Sequence, residues 1–167
     1  MNNVFELFLS VAERFPQQAA VEVFRRTGLD TYAYRDVRQI AERTARLLAA
    51  AGCEAGTRCA ILADNDARWC STYLGILRLG AVAVPLDTSY KASQVRTVLG
   101  DSGARVLFTT AQYLPAAQEA SSGLTPAPQI VMMAGTIAGL ASLDQPGDDR
   151  AALAACPATR SDPAVIL

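Results

Sequence analysis

The stretch RCAILADNDARWCSTYLGILRLGAVAVP, residues 58–85, decides the fold. Its first six residues, RCAILA (58–63), are apolar without alternation after the leading arginine, which is the pattern of a strand buried on both faces. DARWCSTYLGILRLG (66–80) then changes period. Trp69, Tyr73 and Leu77 recur every four residues and share one helical face, and Gly80 supplies a stop. AVAVP (81–85) is apolar and short again. Strand, helix, glycine, strand is the parallel crossover unit.

The cadence continues outward. ASQVRTVLG (92–100) reads as a helix with Val95, Val98 and Leu99 inward, and RVLFT (105–109) as another buried strand. GDSG (100–103) between them serves to stop the helix and turn the chain. Upstream, the segment 37–52 is a long helix with Val37, Ile40, Ala41, Leu47, Leu48 and Ala51 on one face and Gly52 at its end. AAVEVF (19–24) and TYAY (31–34) form a hairpin around a turn at Gly28 and Asp30, with Arg25 and Arg26 as a solvated loop. Residues 4–15 are an amphipathic helix ended by Pro16. Downstream, YLPAAQEASS (113–122) is a helix with Pro115 in its first turn, and QIVMM (129–133) a strand. Residues 134–162 read as a loose surface segment with a short helix at 149–155. The expected architecture is α/β, a mainly parallel sheet flanked by helices, with RCAILA, AVAVP and RVLFT at its centre. Val82, Val84, Ile61, Leu62, Val106 and Phe108 should be buried.

Composition narrows function. The 167 residues are 51% hydrophobic and 19% charged, with a net charge of −1. That supports a globular core and argues against nucleic acid as a partner. No apolar run has the length of a membrane span, and the N-terminus lacks the basic start and apolar core of a signal peptide. A cytoplasmic location is the expectation. There is no histidine, and Cys53, Cys59, Cys70 and Cys156 form no CxxC pair. A zinc site and every histidine-dependent nucleophilic mechanism within the chain are thereby disfavoured, and the cysteines read as buried free thiols. Lys91 is the single lysine against fourteen arginines. Neither GxxxxGK[ST] nor GxGxxG occurs. Asp64, Asn65 and Asp66 follow a strand, where open parallel sheets bind ligands. They suit a magnesium ion or the cap of the next helix, the cap being the commoner use. The residues alone therefore show no catalytic, cofactor-binding or metal-binding set.

One stretch is more specific. LRLGAVAVPLDTSY (77–90) resembles the second core motif, LKAGxAYxPLD, of the acyl-adenylate-forming synthetases. That superfamily includes fatty acid–CoA ligases, acetyl-CoA synthetases, peptide-synthetase adenylation domains and luciferases. AYRDV (33–37) resembles its first core motif, T/S-Y-x-E-L, and the resemblance runs without a gap from about Ala33 to Thr109. Ala33, Asp36, Val37 and Lys91 depart from the pattern at sites that look structural, each weakening a local cap by roughly 1 kcal/mol.

The resemblance implies an N-terminal part of the large domain of such a ligase. In that family the strand matching DPAVIL (162–167) leads into YTSGTTGxPKG, a phosphate-cradling loop. The expectation is a chain truncated before that loop. The parent would use ATP, Mg2+ and coenzyme A on a small-molecule carboxylate, by resemblance a fatty acid. Alternatives within the family are an acyl-carrier-protein ligase and an amino-acid adenylation domain. The fragment itself is expected to be inactive, to hold no cofactor and to self-associate. A non-catalytic α/β binding module is the competing reading. A receiver-like switch is disfavoured because Lys91 precedes a helix instead of ending a strand.

Overall fold

A computed structural model describes residues 3–145, 153, 156–159 and 161–166. Helix α1 (Val4–Arg14) is followed by a hairpin of β1 (Ala19–Arg25) and β2 (Gly28–Ala33), then by helix α2 (Tyr34–Ala50). The alternating part comprises β3 (Arg58–Leu62), α3 (Ala67–Arg78), β4 (Val82–Pro85), α4 (Ala92–Ser102), β5 (Val106–Thr109), α5 (Leu114–Ser122) and β6 (Gln129–Met132). A two-residue strand β7 (Ala141–Ser142) completes a five-stranded sheet of order β4-β3-β5-β6-β7, all pairs parallel.

The strands are apolar throughout because they feed two cores. Cys59, Ile61, Ala83, Val106 and Phe108 face the layer containing Leu48 of α2 and Ile76 of α3. Ala60, Leu62, Val84 and Leu107 face Val95 and Leu99 of α4 and Ala117 and Ala120 of α5. Alternate residues of one strand thus point into opposite layers, as the pleat requires. All six residues expected to be buried are at most 3% exposed. A third cluster seats α1 on the outer surface of α2 and α3 through Phe5, Ala41 and Leu77.

Three local expectations are revised. The hairpin turn falls on Arg26 and Thr27, because Arg25 already pairs with Gly28. AVAVP is not central: β4 ends the strand order. It remains buried because residues 164–166 lie beside it, with a parallel bridge between Ala83 and Val165. Ala83 N donates to the Ala164 carbonyl at 3.0 Å, and Ile166 N donates to the Ala83 carbonyl at 2.9 Å. Within the stretch read as loose, 134–162, β7 pairs with β6, and Ser142 and Leu143 are buried. Most of the short helix expected at 149–155 lies outside the described residues.

Helices α2 and α3 approach closely at Gly75. A Cβ built there would lie 2.5 Å from the Ala41 carbonyl oxygen and 2.5 Å from Thr44 Cβ. Thr44 is fully buried and spends its hydroxyl on the Ile40 carbonyl, so it cannot swing away freely. Gly75→Ala is therefore expected to destabilise the chain by about 1–3 kcal/mol, the usual cost of overpacking, despite alanine's higher helix propensity. Urea unfolding with an unchanged m-value reads this; a variant as stable as the parent would contradict the close approach.

Candidate functional site

In an open parallel sheet, a crevice forms where adjacent strands send their following helices to opposite faces. Here β3 leads into α3 on one face, and its neighbours β4 and β5 lead into α4 and α5 on the other. The carboxyl ends of β3, β5 and β6 accordingly border a crevice of about 410 Å³. Arg25, Asp64, Asn65, Asp66, Gln112 and Gly135 are among its lining residues.

Its carboxylates have partners within the fold. Asp66 is the N-cap of α3 and accepts from the Trp69 amide at 2.9 Å. Its other oxygen lies 3.7 Å from Arg25 Nη2, and Arg25 Nε donates to Asp30 at 2.7 Å. The bond to Asp30 raises the Arg25 pKa. Asp64 accepts from the Tyr113 hydroxyl, which raises the tyrosine pKa. The cap reading of this acidic run is the one observed at Asp66. Arg25 is solvent-exposed as expected, but it ends β1 instead of lying in a loop and pairs with Asp30 and Asp66. Among the described residues no group of three or more His, Cys, Asp and Glu side chains is arranged to hold a metal ion.

The motif residues do architectural work. Ala33, the N-cap of α2, has no capping side chain, but Asp36 reaches back to accept from the Ala33 amide at 2.9 Å. Gln94 does the same for the Lys91 amide at 3.0 Å at the start of α4. Each helix thus keeps half of a capping box at the positions where the sequence departs from the family pattern. Val37 is buried. Leu86 N donates to the Ile61 carbonyl at 2.9 Å, joining the loop after β4 to β3. Asp87 accepts from the Ser89 amide at 2.8 Å, which lowers its pKa and closes a local turn. Gly103, in GDSG, is the left-handed C-cap of α4 with φ +62°.

All four cysteines are free. Cys53 and Cys59 are buried, and burial pushes the Cys59 thiol up to about 12. Such a thiol is almost wholly protonated near neutrality and is no nucleophile.

The sequence did not mark the strap that carries β7. Asp144 accepts from Arg68 Nη1 at 2.8 Å and from the Gly135 amide at 2.8 Å. Arg68 also donates to the Met133 carbonyl, and Arg43 donates to the Leu143 carbonyl at 3.1 Å. These partners are up to 100 residues apart, so no local pattern announces them. Partial burial pushes the Asp144 carboxyl up, but the Gly135 amide, Arg68 and Arg43 outweigh it and hold the pKa below its ordinary value. The lowered value means the strap is favoured above the unfolded carboxylate pKa of about 4 and loses that support as pH falls through the lower folded value. Asp144→Asn should cost no more than about 1 kcal/mol at pH 7, because the pair is partly solvated, and the gap should close in acid. Denaturant titrations at both pH values measure this; a gap that persists at low pH would contradict it.

Comparison with known proteins extends the reading beyond this crevice. A sequence model described as AMP-binding enzyme matches residues 8–167. A 3-hydroxybenzoate–CoA ligase of Aromatoleum sp. (strain CIB) is 33% identical over 105 residues, which cover 63% of this chain and 20% of the relative. The long-chain-fatty-acid–CoA ligase FadD13 of Mycobacterium tuberculosis (strain ATCC 25618 / H37Rv) is 38% identical over 82 residues, or 49% of this chain and 16% of the relative. This chain therefore spans a fifth or less of those relatives' length. Among solved structures, the anthranilate CoA ligase AuaEII in complex with anthranoyl-AMP superposes with a TM-score of 0.83 at 24% identity, covering 98% of this chain and 31% of that one. The N-terminal domain of FACL13 from Mycobacterium tuberculosis gives 0.71 at 28% identity, covering 99% and 41%. The two core motifs, the parallel sheet they build and a family match over almost the whole length lead to one assignment: the chain belongs to the AMP-binding enzyme family.

Proposed function

We propose that these 167 residues are the N-terminal part of the large domain of a cytoplasmic acyl-adenylate-forming ligase, truncated before its phosphate-binding loop. The observation that carries the reading is the family match over residues 8–167, in a chain that spans 20% and 16% of two curated ligases. In the whole enzyme, a carboxylate oxygen of the substrate attacks the α-phosphorus of ATP. The bond to pyrophosphate breaks, leaving acyl-AMP. A thiol, that of coenzyme A, then attacks the acyl carbon and displaces AMP to give the thioester.

On this reading the groups that hold the triphosphate and its metal lie in later segments. The crevice carboxylates are engaged with Trp69, Arg25 and Tyr113, which leaves no ready magnesium set. Lys91 stands at the start of α4, where its backbone, not its ammonium, makes the cap contact. The chain's part in the reaction is to present a rigid sheet against which later segments build the site. A fatty acid is the proposed substrate class, supported by the 38% identity to a long-chain-fatty-acid–CoA ligase. An aromatic acid is the second reading, favoured by the longer match to a 3-hydroxybenzoate–CoA ligase.

ATP–pyrophosphate exchange tests the proposal, with fatty acids and hydroxybenzoates as a panel. The 167-residue chain alone should show no exchange. Each missing charge-assisted contact to the triphosphate is worth roughly 1.5–3 kcal/mol, and losing several weakens a micromolar site beyond millimolar. The protein extended through the downstream reading frame should exchange with at least one member of the panel. Exchange by the short chain would overturn its scaffold role, and an extended protein that activates no carboxylate would overturn the ligase reading.

A further inference from the structure

Two distant parts of the described chain meet at one side chain, Asn3. Its Oδ1 accepts from the Glu6 amide at 2.9 Å and caps α1. That bond fixes the orientation of the side-chain amide, because Oδ1 faces a donor and Nδ2 must face away. Nδ2 donates to the Ala158 carbonyl at 3.1 Å and to Cys156 Sγ at 3.5 Å. The Cys156 thiol in turn donates to the Leu77 carbonyl, in the last turn of α3, at 3.3 Å. Between them, Pro157 sits over Gly80: a Cβ at Gly80 would come within 2.9 Å of Pro157 Cγ. Residues 156–158 are thereby fixed to α1, to α3 and to the glycine that precedes β4.

The segment then turns and becomes the covering of the β4 edge. Asp162 accepts from the Thr159 amide at 2.7 Å and from the Thr159 hydroxyl at 2.9 Å, closing the turn. Ala164 and Ile166 follow with their backbone bonds to Ala83. Ala158 therefore stands immediately before the turn whose exit lays down the bridge at Val165.

We propose that Asn3 is a positioning residue, which caps α1 with one side-chain atom and with the other sets the segment 164–166 against β4. Through that segment it aims the chain toward the phosphate-binding loop proposed to follow; this functional half rests on the ligase reading above. The two roles separate by substitution. Asn3→Ser keeps a capping oxygen but removes the Nδ2 donor, and Asn3→Ala removes both.

Hydrogen exchange by NMR on the 167-residue chain reads the structural half. In Asn3→Ser, the Ile166 and Ala83 amides should exchange about three- to tenfold faster, the factor that one net hydrogen bond is worth. The Phe108 amide and the helix content should not change. Asn3→Ala should in addition release the Glu6 amide. Unchanged exchange at Ile166 in Asn3→Ser would overturn the proposal. In the protein extended through the downstream frame, Asn3→Ser should raise the KM for ATP by a similar factor and leave kcat within about twofold. An unchanged KM with faster Ile166 exchange would overturn the functional half alone. A wild-type extended protein that activates no carboxylate would overturn that half together with the ligase reading, while the exchange result would still decide the structural half.

Discussion

Strand β3 has no face for water. It pairs in parallel with β4 on one side and β5 on the other, and Cys59, Ala60, Ile61 and Leu62 are all at most 1% exposed. A strand in that position needs an apolar layer on each face, and supplying both layers dictates most of the remaining structure. Helices α2 and α3 must cover one side and α4 and α5 the other. Connections to both faces force the strand order to reverse beside β3, and that reversal opens the crevice at the carboxyl edge. Burial of apolar area at about 25 cal/mol per Å² makes this two-sided core the largest favourable contribution in the chain.

Much of this was legible from residues alone. Continuous apolar strands such as RCAILA, separated by helices with a single apolar face, are sufficient to identify a parallel sheet. The capping role of Asp66 followed from its place between a strand and a helix. Long-range features were less legible. The position of β4 at the end of the order depends on which side of β3 each crossover lands, and AVAVP stays buried there only because the distant residues 164–166 cover it. Strand β7 is two residues long and gives no period to detect. Its anchors, Arg43, Arg68 and Asp144, look in sequence like ordinary surface charges. Asn3 was likewise invisible as a link to Ala158, because only folding brings residues 155 apart in sequence together.

The candidate site teaches a similar lesson about function. Asp64 and Asp66 occupy the edge where such sheets bind ligands, yet Asp64 Oδ1 is engaged by Tyr113, and the two oxygens of Asp66 face Trp69 and Arg25. Family membership came from LRLGAVAVPLDTSY and AYRDV, and their described contacts are caps, turns and core packing. Signature motifs of an enzyme family can therefore encode the scaffold and not the chemistry. This accounts for a strong family assignment that rests on fold-building residues.

The two-sided burial of β3 and β5 holds the remaining elements together. Native-state hydrogen exchange measured across increasing urea tests it most directly. The backbone amides of Ile61 and Phe108 should open only with global unfolding and share its urea dependence. Amides of the β1–β2 hairpin and of Ile166 should open earlier, by local fluctuations. Slowest exchange in the hairpin or in α1, with β3 and β5 opening before them, would contradict it.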